Sequence, residues 1–261
     1  MEIFGFNKPI IGMIHVDALP GTPKFKGNIK EIIKKSLIEA EIYLNYQIPI
    51  LMIENMHDTP YLNRKVGPEI TAVMSIILYE IKQKFNVPLG IQILAGANKD
   101  AIASAYASSA DFVRAEGFVF SHIADEGMFN SDAGELLRYR KMINADRIKV
   151  FTDIKKKHSS HAITSDVDIA DTAKAAEFFM SDGVIITGGS TGKEPDTKEI
   201  VSVKKSVNIP VLAGSGITAK NINVYKPLCD AFIIGSYFKK DGYWQNELDE
   251  IRIKEFINQY N

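Results

Sequence analysis

Cysteine is all but missing: Cys229 is the only one in 261 residues. A lone thiol closes no internal disulfide, so packing must hold the fold, and a reducing compartment suits the chain. Cys229 precedes a predicted strand and reads as a buried structural thiol, not a nucleophile. An excess of one charge is missing too, since the formal net charge is −1. No broad basic field suits the chain to nucleic acid or to acidic membranes. The apolar run from Pro9 to Val16 is too short for a membrane span and carries no cleavage-site pattern. A cytoplasmic protein with neither nucleic-acid nor membrane partners is expected, and self-association into a homo-oligomer is left open. His-x-His and His-Glu-x-x-His spacings are absent, as are low-complexity linkers and any break in composition.

What remains is ordinary globular material, 46% hydrophobic and 24% charged, ample for one large core. Short apolar runs alternate with helical patterns along the whole chain. The runs are Ile10–Val16, Pro49–Asn55, Leu89–Ala95, Asp111–Gly117, Lys149–Lys155, Gly183–Gly188, Pro210–Ala213 and Asp230–Ile234. Between them Ile33, Leu37, Ala40 and Leu44, and later Ile70, Val73, Met74, Ile77, Leu78 and Ile81, fall at helical spacing. Eight strand-then-helix units in about 250 residues point to one α/β domain over 1–261, a closed (β/α)8 TIM barrel rather than an open sheet. The segment 118–132 exceeds a usual strand-to-helix loop and is expected to act as a lid.

Three glycine-rich turns follow the last three strands: Gly188-Gly-Ser-Thr-Gly192, Gly214-Ser-Gly216 and Gly235-Ser236. Each alone is compatible with plain turn chemistry. Together, where such barrels hold phosphate, they nominate the backbone of Gly188, Gly189, Gly214, Ser215, Gly216, Gly235 and Ser236 as an anion cradle. A phosphorylated small molecule is the partner this implies.

Polar residues crowd the carboxyl ends of the other strands, where barrel chemistry resides. They are His15, Glu54, Arg114, Glu116, Asp153 and Lys155. Stability alone explains them poorly, because a buried polar group costs free energy unless paired or wet. Period-two alternation puts Arg114 beside Glu116 and Asp153 beside Lys155, either as structural ion pairs or as substrate-handling groups. Glu54 or Asp153 would exchange protons, and Arg114 or Lys155 would steady an oxyanion. Lys155 could instead form a Schiff base or hold phosphate, and His15 could simply donate to a carbonyl. Lys156 and Lys157 read as a solvated or phosphate-facing run. No organic cofactor is expected, and the carboxylates and imidazoles leave a divalent metal possible.

Gly12-Met-Ile-His-Val-Asp-Ala-Leu-Pro-Gly-Thr-Pro23, Glu54-Asn-Met-His-Asp-Thr-Pro60, Glu135-Leu-Leu-Arg-Tyr-Arg-Lys141 and Phe151-Thr-Asp-Ile-Lys-Lys-Lys-His158 resemble the BtpA/SgcQ family. The likeness runs from the first strand to Gly235-Ser236. It implies a barrel of the ribulose-phosphate-binding kind. Many members carry Arg-Asn-Asp after the third strand, where this chain has Leu94-Ala-Gly-Ala-Asn98. Residues and resemblance together lead to an enzyme of isomerase, epimerase, lyase or hydrolase type acting on a sugar or nucleoside phosphate. The alternative is a non-catalytic assembly or regulatory factor of the BtpA family that keeps a phosphate-ligand pocket.

Overall fold

A computed structural model describes residues 1–189 and 192–260. Ser190 and Thr191, the middle of the first expected glycine loop, lie outside the described residues. Eight parallel strands close into a barrel: β1 (Ile10–His15), β2 (Ile50–Glu54), β3 (Leu89–Gln92), β4 (Phe112–Ala115), β5 (Lys149–Asp153), β6 (Gly183–Ile186), β7 (Val211–Ala213) and β8 (Ala231–Ile234). Ile234 of β8 registers with Gly12 of β1 and completes the ring. Each strand is buried on both faces, which is why the sequence shows continuous apolar runs rather than alternation.

The helices stand outside: α1 (Ile29–Asn45), α2 (Pro68–Phe85), α3 (Asn98–Ser108), α4 (Ala133–Met142), α5 (Ile169–Phe178), α6 (Thr197–Ser206), the four-residue α7 (Ile222–Tyr225) and α8 (Glu250–Tyr260). Their starts follow local chemistry. Asn28, Asp168 and Asp196 each accept a first-turn amide with a side-chain oxygen, and α2 opens on Pro68. The apolar stripe of α2, from Ile70 to Ile81, packs inward onto the strands.

Two cores result. The outer one lies between strands and helices; the inner one fills the barrel with Ile11, Met13, Ile50, Met52, Phe112, Phe151, Ile185, Leu212 and Ile233. Gly90 leaves room for the Phe112 ring, which would lie 2.2 Å from any Cβ there. Phe4 closes the barrel floor, its ring 5.5 Å from Phe112 and 6.4 Å from Phe151.

The lid expected over 118–132 is more ordered than a loop. His122–Ala124 and Gly127–Phe129 form a hairpin, and Ser159–Ser160, from the connection after β5, adds a third antiparallel strand. This flap leans over the mouth from two connections at once.

Candidate active site

The carboxyl ends of the first three strands lie in one layer: His15 registers with Glu54, and Glu54 with Gln92. Arg114 reaches across to Asp153. Its Nε and Nη2 donate to the two carboxylate oxygens at 2.7 and 2.8 Å, a buried two-point pair. Glu116 does not pair with Arg114, as alternation along one strand allowed. It accepts from Lys156 Nζ at 3.2 Å instead.

Lys155 departs from its expected place. Strand β5 ends at Asp153, and Lys155 takes a φ of +45°, so the period-two rule no longer applies to it. Its Nζ turns to the Thr164 carbonyl at 3.4 Å, beside a separate cavity of only about 20 Å³. Lys157 takes the central position. Its backbone amide donates to Thr187 Oγ1 at 3.3 Å, and it lines a cavity at the barrel mouth together with Glu54 and Arg114.

Burial sets the protonation states here. It pushes the Glu54 carboxyl up, against the pull of Arg114 and Lys157. It pulls the Lys157 amine down, helped by Arg114 and opposed by Glu54 and Asp153. Burial also opposes the Arg114 cation, but Asp153 outweighs it and raises the guanidinium pKa. His15 is held well below its usual pKa by burial and by Lys239, so it is neutral at pH 7. Its Nε2, 3.8 Å from Glu54 Oε2, is therefore a neutral neighbour rather than half of an ion pair, and its Nδ1 lies 3.1 Å from the Trp244 carbonyl. Asp153 is fully engaged by Arg114. Glu54 is shifted up and Lys157 down, the directions that suit acid–base exchange.

A cavity of about 240 Å³ opens beside these groups. Gly214, Ser215, Gly216, Gly235 and Ser236 line it, with Gly192; Gly188 and Gly189 stand outside its lining. A Cβ on Gly188 would lie 2.2 Å from the Lys193 carbonyl oxygen, so that glycine serves loop packing. Gly216 has φ +66° and meets the same Lys193–Glu194 backbone, a position only glycine fills without strain. The Gly214 amide is committed to the Ile186 carbonyl at 2.9 Å, within the barrel sheet. Among the described residues, nothing accepts from the amides of Ser215, Gly216 or Ser236. The Ser215 hydroxyl donates to Lys193 O at 3.1 Å.

Sequence reasoning missed Arg252. It sits in the first turn of α8, donates through Nε to the Tyr237 carbonyl at 2.7 Å and stacks over the Tyr237 ring at 4.5 Å. Its guanidinium lines the cavity beside the free amides. A signal was available: a cation in a first helical turn opposes the helix dipole, so local helix preference does not place it there.

The cavity continues beneath the flap into a second lobe of about 330 Å³, sharing Glu54, Met56, Arg114 and Lys157 with the first. Among the described residues no group of three or more His, Cys, Asp or Glu is arranged to hold a metal ion. None of their helices is long and apolar enough to cross a membrane.

The model of the BtpA family matches residues 6–261. This chain belongs to the BtpA family. A protein of Caenorhabditis elegans, whose name places it in the mitochondrion, is 44% identical over all of this chain and 96% of its own length. The photosystem I biogenesis protein BtpA of Synechocystis is 27% identical, over 98% of this chain and 89% of that protein. Among solved structures, N-(5′-phosphoribosyl)anthranilate isomerase of Pyrococcus furiosus shares the fold with this BtpA-family chain. The TM-score is 0.59 at 13% identity, covering 97% of this chain and 98% of the isomerase. That likeness speaks to the TIM barrel alone.

Proposed function

We propose that this BtpA-family barrel is an enzyme acting on a small phosphorylated metabolite by proton transfer at the mouth. The observation that carries the reading is the first lobe. Free amides of Ser215, Gly216 and Ser236 meet the Arg252 guanidinium on one side, with Glu54 and Lys157 on the other. Amide donors with one arginine suit a phosphate dianion. A substrate anchored there extends its carbon skeleton toward Glu54 and Lys157. Glu54, with its raised pKa, donates or abstracts a proton, while Arg114, held by Asp153, steadies developing negative charge. Isomerisation, epimerisation and bond cleavage all draw on this set. The flap borders the second lobe through Asp125 and Glu126. The buried Cys229 suits a reducing compartment such as the cytoplasm.

Ribose 5-phosphate is the simplest probe. At saturation it is expected to raise the melting temperature, since a ligand at 100 times its Kd adds about 2.7 kcal/mol. Ser215→Asp sets a carboxylate against the phosphate and removes that shift. Arg252→Met weakens binding by roughly ten- to a hundredfold, as expected for a charge-assisted hydrogen bond. A melting temperature indifferent to sugar phosphates refutes the reading. A second reading rests on the name of the Synechocystis relative: an assembly factor could keep the same pocket as a sensor. Prolonged incubation separates the two, because a sensor returns its ligand chemically unchanged.

A further inference from the structure

The phosphate reading uses only the first lobe of the cavity, and the second has a different character. Met56, Leu94 and Ala95 give it an apolar wall, with the rings of Tyr61 and Trp244. Trp244 is braced from behind by the His57 ring at 4.9 Å. Tyr61 spends its hydroxyl on the Met56 carbonyl at 2.7 Å and so offers its ring face. On the floor lies Gln92, 1% exposed. Its buried Oε1 has no hydrogen-bond partner. Burying an amide oxygen without a partner lowers stability, so the retention of Gln92 asks for an occupant beside it.

The geometry points to a subsite in this lobe for a flat nitrogen heterocycle, carried at the far end of a ribose phosphate. The inference rests on the phosphate reading above and names the substrate class for that site. A polyol would find partners in Glu116, Asp125, Glu126 and Lys156 on the same lining, but would set its other hydroxyls against Met56, Leu94 and Ala95 and lose their water without replacement. An alkyl chain would fit the walls and leave Gln92 unpaired. A heterocycle meets both demands: its faces pack on apolar and aromatic side chains, and its edge offers a donor beside an acceptor. That edge complements an amide, which carries the same two functions side by side. Between the lobes, Glu54, Arg114 and Lys157 suit the hydroxyls of the joining sugar.

Trp244 is the chain's single tryptophan, so its emission reports this lobe. The full chain is titrated with ribose 5-phosphate, with the four common nucleoside 5′-monophosphates, and with the corresponding nucleosides. At least one nucleotide is expected to bind about tenfold or more tighter than ribose 5-phosphate and to quench Trp244, while ribose 5-phosphate leaves the emission unchanged. Gln92→Leu, similar in size and apolar, should remove about tenfold of the nucleotide's affinity and leave that for ribose 5-phosphate intact. The free variant should melt no lower than the parent. Nucleotides that bind no tighter than ribose 5-phosphate and never move Trp244 overturn the subsite while leaving the phosphate lobe standing. A nucleoside that quenches Trp244 when ribose 5-phosphate fails to bind keeps the subsite and overturns the phosphate lobe. A Gln92→Leu chain that melts lower than its parent makes Gln92 a packing residue and removes it from the site.

Discussion

Arg114 and Asp153 form a deeply buried charge pair at the mouth, with side chains 6% and 1% exposed. Two charges so placed are held by each other, and removing one strands its partner. Asp153→Ala is expected to lower stability by about 3–5 kcal/mol, read as a reduced urea midpoint. His122 carries a pH dependence of its own. Burial and Lys156 lower its imidazole to about 4, its ring stacks on Phe129, and Nε2 has no partner. As pH falls, the unfolded chain takes up this proton near 6.5 while the folded chain resists to about 4. His122 therefore costs stability progressively across that window. His122→Phe keeps a ring and removes the titration. Relative to the parent, the variant should gain up to roughly 3 kcal/mol between pH 6.5 and 4, read by urea unfolding at each pH. The residues at strand ends were legible as a set, because a polar group after an apolar run stands out. Which lysine faces the cavity was not. That depends on where β5 stops, and the positive φ at Lys155 hands the central place to Lys157.

Elements were the most legible level. Each strand is buried on both faces and each major helix shows one apolar stripe, so period and composition agree with the fold. Packing inside the barrel could not be read in advance. Gly90 looks like a weak strand residue until the Phe112 ring is seen lying over it. Gly90→Ala should cost about 1–3 kcal/mol by overpacking, measured by chemical denaturation, although alanine is the better strand residue by local preference. The flap was legible only as an overlong connection. Its third strand, Ser159–Ser160, lies far along the chain from the hairpin, and nothing local announces that pairing.

At the scale of the whole molecule, charges balance almost completely, with 31 basic against 32 acidic residues. Repulsion between copies is then weakest close to neutrality. Solubility should pass through a minimum slightly below pH 7 and rise on either side, checked by turbidity at fixed protein concentration across a pH series. The barrel is also open at one end only. Phe4 lies against Phe112 and Phe151 at the other, and the Tyr260 hydroxyl donates to the Lys8 carbonyl outside it. Met1, whose amino group donates to Asp230, and Tyr260 thus sit on the blind side. A tether fused beyond either one, for a bead or a sensor chip, would hold the molecule by its back and leave the doorway free.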